Sequence, residues 1–208
     1  AAIPENNKIK IPSKQFIKKE KSPKVLFASG QYGQAIDLIN MNIKSNKDNH
    51  KLLFLKGRSQ LMLNQYEKAA STFIDALAIR MDSDYLNGLG YAYTKLKQPD
   101  KALAAYNKAI SINNKNSYAY FNSGLLLENK GNKKRAADYF YSAGTSSLLN
   151  KDFLKANNAH DALQRLSKSE STILEKSNKL GNLIEELTDD KDNNFKIIKV
   201  NTKKDKID

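Results

Sequence analysis

The sequence predicts an all-α protein built as an array of stacked helix-turn-helix repeats. Three glycines recur with nearly one period along the 208-residue chain, because Gly57, Gly90 and Gly124 are spaced 33 and 34 residues apart. Each glycine is followed by an alanine after 12 residues, an aromatic residue after 16 and a second alanine after 19. These residues are Ala69, Phe73 and Ala76, then Ala102, Tyr106 and Ala109, then Ala136, Phe140 and Ala143. Such a period is typical of arrays in which each repeat is one helical hairpin.

The small residues indicate where the helices of a repeat meet. A glycine or an alanine lets two helix backbones approach closely, whereas a longer side chain would hold them apart. We therefore expect the glycine and the first alanine of each repeat to lie where its two helices cross. The aromatic residue follows that alanine by one turn, so it would fill the space beside the crossing.

The pattern resembles that of the tetratricopeptide repeat family, in which an apolar residue, leucine, glycine and tyrosine precede alanine, an aromatic residue and alanine. Residues 83–116 match it best. The matching residues there are Leu86, Leu89, Gly90, Tyr93, Ala102, Tyr106 and Ala109. The proline that often closes the family's repeats is absent, since Met81, Asn114 and Leu148 stand in its place. The resemblance implies a right-handed superhelical array of helix-turn-helix repeats with C-terminal capping helices.

The first helix is predicted to follow a charged leader. Residues 1–22 are rich in Lys, Asn and Pro and show no sustained period, so we expect a flexible basic leader. Ser22 and Pro23 then predict the start of a helix, with serine as the N-cap and proline at the first helical position.

Four repeats follow the leader. Residues 23–49 predict a degenerate first repeat with a shortened leading helix, because Gly30 stands where the next repeat has Asn64. Three better repeats are each predicted to be a pair of antiparallel helices. They span residues 50–83, 83–116 and 117–150.

A further helix pair is predicted to close the array. Residues 151–188 are amphipathic, and such a pair would cover the apolar end that an open array exposes. Ser167 and Glu170 have the spacing of a capping box, which predicts a last helix over 173–187. Residues 189–208 are charged and rich in Asn, and they predict a disordered tail.

Composition argues against nucleic acid as the favoured partner. The formal net charge is +13, but it rests on 31 lysines and only 4 arginines. Nucleic-acid binders more often use arginine, whose planar fork grips phosphates and base edges. Nucleic acid is therefore the less favoured partner. Binding of nucleic acid or an anionic surface through the basic array stays as the alternative hypothesis.

The cellular location is predicted from weaker signals. The chain has no cysteine, and no apolar run approaches the ~20 residues of a membrane helix. It opens Ala-Ala-Ile-Pro without an initiator methionine, as a mature exported protein or a trimmed chain would. We expect an exported, periplasmic protein of a bacterium, with a cytoplasmic location as the alternative.

No set of residues predicts catalysis, a cofactor or a metal site. The two histidines, His50 and His160, stand apart in sequence, and Asp161 beside His160 does not complete the ligand set that a metal site needs. The acidic residues Glu185, Glu186, Asp189 and Asp190 are expected on a solvated helix end. We therefore expect a protein that is not an enzyme.

The family resemblance implies a binding groove instead. In tetratricopeptide proteins the first helix of each repeat lines a concave face that binds an extended peptide or a helix. Carried over by the register, the expected partner-binding residues are Phe54, Arg58, Met62, Asn87, Tyr91, Lys95, Tyr118, Phe121, Asn122 and Glu128. Leu55, Leu61 and Leu125 belong to the same positions, but we expect them to be buried between helices.

A protein-binding scaffold is the function that the sequence favours. The five-residue clamp by which some family members hold a chaperone's terminal carboxylate is not reproduced, because Phe54, Gly88 and Tyr118 occupy three of its positions. The run from Leu86 to Tyr93 is similar to repeats in proteins of bacterial pilus assembly and secretion, which suggests a role in assembling an envelope complex. Two further alternatives stay open: a regulatory module of a longer enzyme, and a homo-oligomer formed through exposed array ends.

Overall fold

The computed structural model describes residues 22–43, 49–168 and 170–189. Within these ranges the chain forms ten α-helices and no strand. The helices are α1 (Pro23–Ala28), α2 (Tyr32–Ile43), α3 (His50–Met62), α4 (Tyr66–Ile79), α5 (Ser83–Lys95), α6 (Pro99–Ile112), α7 (Ser117–Asn129), α8 (Lys133–Leu149), α9 (Phe153–Ser167) and α10 (Ser171–Asp189). The predicted fold class, an all-α array of helix-turn-helix repeats, is confirmed. The predictions of a leader and a tail fall on residues that lie outside the described ranges, apart from Ser22 and Asp189.

The helices form two compact units that divide between Arg80 and Met81. The first contains α1 to α4. Its α1 starts as the Ser-Pro pair predicts, because the Ser22 hydroxyl accepts a hydrogen bond from the Val25 amide at 3.4 Å. This helix has only six residues, as a shortened leading helix requires.

The second unit contains α5 to α10. Here α5 pairs with α6 and α7 with α8, while α9 packs along α8 and α10 packs on both α8 and α9. The core under the last helices consists of side chains that are almost fully buried: Ala136, Phe140, Ala143, Leu163, Ile173 and Leu180. The missing side chain of Gly144 makes room for α10, because a Cβ there would overlap Leu180.

Each repeat glycine lies at the contact between the two helices of its repeat, against the aromatic ring of the partner helix. A Cβ built on Gly57 would lie 2.7 Å from the Phe73 ring, and one on Gly90 would lie 2.5 Å from the Tyr106 ring. The third repeat has the same contact between Gly124 and its aromatic residue. The glycine therefore accommodates the ring, and the alanines, all buried, pack beside it.

One turn geometry recurs between helices. The second residue after the helix end takes the left-handed conformation, and the amide of the next residue bonds to the carbonyl five residues back. This arrangement satisfies carbonyls at the helix end that would otherwise lack a partner. The left-handed residues, with their φ angles, are Gly30 (75°), Asn64 (56°), Lys97 (57°), Gly131 (80°) and Lys151 (57°).

The predicted capping box at the start of α10 is wrong. Ser167 is the last residue of α9, and its hydroxyl donates to the Gln164 carbonyl at 2.8 Å. The first turn of α10 instead begins on the carbonyl of Glu170, which accepts from the amides of Ile173 and Leu174. The serine lies one turn too early because α9 runs on to it.

None of the helices within the described ranges is long and apolar enough to cross a membrane.

Candidate functional site

In the first unit, the candidate residues lie on α3. The exposed Arg58 guanidinium stacks on two rings, 4.6 Å from the centroid of Phe27 on α1 and 5.7 Å from that of Phe54. Phe54 in turn packs against Phe73 at 6.0 Å. Arg58 therefore helps to hold α1 on α3 by cation–π attraction. Met62, one turn further along α3, is 54% exposed.

In the second unit, an amide pair joins α5 and α7. The Asn122 side-chain amide donates a hydrogen bond to the Asn87 side-chain carbonyl at 3.0 Å. Both side chains are only partly buried, and each amide keeps a further donor or acceptor for a ligand. Tyr91 lies one turn after Asn87, is 37% exposed, and has the Lys95 ammonium 5.2 Å from its ring. We call Asn87, Tyr91 and Asn122 the α5–α7 face.

A pocket of about 160 Å³ opens between α7 and α9, with α8 as its floor. Its surface is mainly apolar. We call it the α7–α9 pocket, and it is lined by Ser117, Tyr118, Phe121, Ala143, Ser147, Lys155 and Asn158. Small residues one turn apart on α8, Ala143 and Ser147, leave this space open. Phe121 is fixed at the pocket by its packing on Phe140 at 5.3 Å, while Tyr118 is 52% exposed.

The only cation that lines the α7–α9 pocket is already paired. The Lys155 ammonium contacts the Asp152 carboxylate and lies 4.3 Å from the centroid of the Tyr118 ring. This hydrogen bond holds the pKa of Asp152 below its ordinary value and raises the pKa of Lys155. Asp152 also accepts from the Lys155 amide at 3.1 Å and so caps α9.

Glu128 links α7 to α9. Its two carboxylate oxygens accept hydrogen bonds from Arg165, from Nε at 3.0 Å and from Nη2 at 2.8 Å. The pair raises the pKa of Arg165, chiefly through this hydrogen bond. Because a bidentate pair uses both oxygens, the arrangement gives Glu128 a bracing role, and its predicted role in partner binding gains no support from its position.

The apolar residues at the groove positions differ in exposure. Leu55 is buried, as expected, whereas Leu61 is only half-buried. Leu125 is 36% exposed, so the expectation that it is buried is wrong. It follows Phe121 by one turn and therefore continues the surface on which Tyr118 and Phe121 lie.

Sequence reasoning missed the α9 wall of the pocket, formed by Lys155 and Asn158, because residues 151–188 were interpreted only as a cap. A signal was present in the repeat spacing. Gly144 on α8 is followed after 12 residues by the buried Ala156 and after 7 by the left-handed Lys151, as the other repeat glycines are by their counterparts. Helix α8 thus serves as the second helix of one hairpin and the first of another.

No group of three or more His, Asp or Glu side chains in the described residues is arranged to hold a metal ion. His160 lies 3.5 Å from the Gln164 side chain and against Gly181 of α10. Its surroundings are those of a packing residue at the α9–α10 contact.

Comparison with family models finds one repeat type throughout the array. Models described as tetratricopeptide repeat match residues 24–85, 83–116 and 117–143. Among curated proteins, a TPR repeat-containing protein of Methanocaldococcus jannaschii is 28% identical over 109 residues, which are 52% of this chain and 19% of the relative. The human protein O-mannosyl-transferase TMTC3 is 28% identical over 103 residues, or 49% of this chain and 11% of the relative. The chain thus spans less than a fifth of the length of these two relatives.

Three solved structures show the same fold. MamA aligns with a TM-score of 0.58 at 15% identity, covering 79% of this chain and 96% of its own. YrrB, described as a TPR protein with an unusual peptide-binding site, aligns with a TM-score of 0.50 at 22% identity over 74% and 87%. PcrH in complex with the chaperone binding region of PopB aligns with a TM-score of 0.53 at 20% identity over 56% and 96%.

Proposed function

Because tetratricopeptide models together match residues 24–143, the chain belongs to the tetratricopeptide repeat family, and we propose that it is a non-enzymatic scaffold that binds a peptide or helix of a partner protein. Its binding surface in the second unit is the α5–α7 face together with the α7–α9 pocket. The curated relatives are several times longer, so the proposal concerns this repeat array alone.

The observation that carries the proposal is the combination of surface types on α5, α7 and α9. Exposed tyrosines at positions 91 and 118 offer large rigid contact area, as aromatic residues do at interfaces. The Asn87–Asn122 pair keeps amide groups that can hydrogen-bond a peptide backbone. An apolar pocket beside them supplies a place where a partner's side chain can be buried.

Two structural neighbours are consistent with this role. By their descriptions, YrrB has a peptide-binding site and PcrH holds a segment of PopB. Their similarity to this chain lies below 25% identity and reflects the fold, so the identity of the partner has to come from experiment.

A crosslinking experiment tests the scaffold role. A photoreactive amino acid replaces Tyr91 on the α5–α7 face, and in a matched variant it replaces the exposed Lys108 on α6. In the native host, we expect covalent partner adducts from position 91 and far fewer from position 108. Equal adducts from both positions, or none from position 91, would contradict binding at the α5–α7 face.

We also propose that the partner belongs to a bacterial envelope complex such as a pilus or a secretion system, with the protein itself exported. The similarity of the run from Leu86 to Tyr93 to repeats in such systems supports this narrower role. Mass spectrometry of the position-91 adducts tests it, with fractionation of the host to locate the protein. Adducts that contain only cytoplasmic proteins would exclude it.

A further inference from the structure

We infer that the α7–α9 pocket selects one aromatic or branched aliphatic side chain of the partner peptide and does not bind a carboxylate. This rests on the proposed function and specifies the chemistry of the partner. The pocket volume and the pairing of its lysine carry the inference.

The size of the pocket matches one apolar side chain. An apolar cavity of about 150 Å³ in a protein core is large enough to bind benzene, and the volume here is about 160 Å³. The Tyr118 and Phe121 rings form one wall, so an inserted ring or branched chain would meet carbon surface.

The hydroxyl on the floor of the pocket does not need a polar ligand. The Ser147 hydroxyl on the floor already donates to the Ala143 carbonyl at 2.9 Å. The buried side-chain atoms without a hydrogen bond in the described residues belong to Gln60, Gln98, Ser123 and Ser177, and none of these lines the pocket. An apolar occupant that reaches the floor would therefore leave the Ser147 hydroxyl paired.

The pairing of Lys155 disfavours an acidic occupant. A carboxylate entering the pocket would have to compete with Asp152 for the ammonium, or bring a second negative charge beside that carboxylate. The Lys155 ammonium also lies over the Tyr118 ring, which covers a second side of the ammonium. The ammonium is therefore already paired with the Asp152 carboxylate that caps α9.

Small probes of the two chemistries test this directly. Amide chemical shifts of the full chain are followed by NMR during titration with toluene and, separately, with sodium acetate. We expect toluene to shift signals of Tyr118, Phe121 and Ala143, with acetate leaving them in place. Acetate shifts there without toluene shifts would overturn the inference.

A matched pair of variants localises the effect. Asn158→Trp places a large ring over the pocket from its exposed rim, while Asn157→Trp adds the same ring at an exposed neighbour that does not line the pocket. We expect at least a tenfold loss of toluene affinity in Asn158→Trp alone. Equal affinities in the two variants would overturn the inference, and circular dichroism checks that both remain helical.

Freeing the lysine should change the selectivity. Asp152→Ser keeps a residue that caps helices well but removes the negative charge beside Lys155. We expect this variant to gain acetate-induced shifts at the pocket. Their absence would show that the Asp152 pairing does not control selectivity.

Three outcomes distinguish this inference from the proposed function and from binding of a second copy of the chain in the pocket. Partner adducts at position 91 without toluene binding would leave the scaffold standing and end the pocket assignment, whereas toluene binding without adducts would leave an apolar pocket but contradict partner binding at the α5–α7 face. If Asn158→Trp converts a dimer into a monomer in sedimentation equilibrium, another copy fills the pocket and the peptide assignment is wrong.

Discussion

At the scale of single residues, the glycine–aromatic contact is the feature that each well-formed repeat shares. Gly57, Gly90 and Gly124 lie against rings with no room for a Cβ. In the second of these repeats the Tyr106 hydroxyl also hydrogen-bonds Thr94 at 3.1 Å, and burial raises the pKa of this phenol. The Tyr106 ring is therefore held by Gly90 beside it and by the hydrogen bond at its hydroxyl, and it has little freedom to move aside.

Replacing Gly90 by alanine should destabilise the fold. The added methyl would lie 2.5 Å from the Tyr106 ring, and overpacking of this kind costs about 1–3 kcal/mol. Urea unfolding followed by circular dichroism measures the change. Gly33→Ala on α2 is the control, because nothing lies within 4 Å of the new Cβ and the helix should gain up to about 1 kcal/mol. Equal effects at the two positions would contradict the packing explanation.

Replacing Lys97 by glycine should stabilise the protein. Lys97 has a φ of 57°, and this left-handed conformation costs a residue with a side chain about 1–2 kcal/mol. After the larger unfolded-state entropy of glycine is subtracted, we expect a net gain of about 0.5–1 kcal/mol in the free energy of unfolding. Lys108→Gly within α6 should instead lose about 1 kcal/mol. A loss in both variants would mean that the turn is not strained at Lys97.

At the scale of elements, α9 is both a cap and a wall of the candidate site. It packs on α8, is braced to α7 by the Glu128–Arg165 pair, and contributes Lys155 and Asn158 to the pocket. Asp152 starts the helix and pairs with that lysine. One carboxylate thus caps the helix and pairs with the lysine at the pocket rim.

The stability that the Asp152 carboxylate contributes should depend on pH. Its pKa is lower in the folded protein because Lys155 hydrogen-bonds it, so its contribution is present above the ordinary aspartate value and is lost as pH falls through the folded value. We expect the unfolding free energies of the wild type and Asp152→Ser to converge as pH is lowered below about 4. Thermal unfolding at several pH values measures this, and a constant difference would contradict it.

At the scale of the whole molecule, the net charge is the property that could also indicate binding of nucleic acid. The +13 net charge attracts polyanions at low salt whatever the specific partner is. This attraction alone does not indicate a specific nucleic-acid site. The scarcity of arginine argues against such a site.

Binding of the chain to double-stranded DNA should be weak and steeply dependent on salt. We expect measurable retention on a DNA column at low ionic strength and loss of it by about 0.15 M salt, as counterion release predicts. Fluorescence anisotropy with two unrelated duplexes checks the absence of sequence preference. Tight binding of one duplex at physiological salt would instead favour the nucleic-acid hypothesis.

The sequence predicted the repeats well because small residues at fixed spacing leave few ways for helices to pack. It predicted less well which groups those residues meet: the glycine contacts a ring 16 positions later, a relation that depends on three-dimensional packing. The exposure of Leu125 was missed for the same reason, because it depends on how far α7 and α9 lie apart over α8. The second use of α8 was missed for a different reason: its signal, the spacing of Gly144 and Ala156, was present in the sequence but was not recognised.

The double use of α8 has a thermodynamic consequence. Ala143 and Ser147 form the pocket floor, while the adjacent Gly144 receives Leu180 of α10. Gly144 and Ser147 are one turn apart on α8, so a guest that displaces this helix would also disturb the seat of α10, and any coupling energy between the two would be the same in both directions. Loosening the terminal helix would then weaken the grip on the guest, although that helix never touches it.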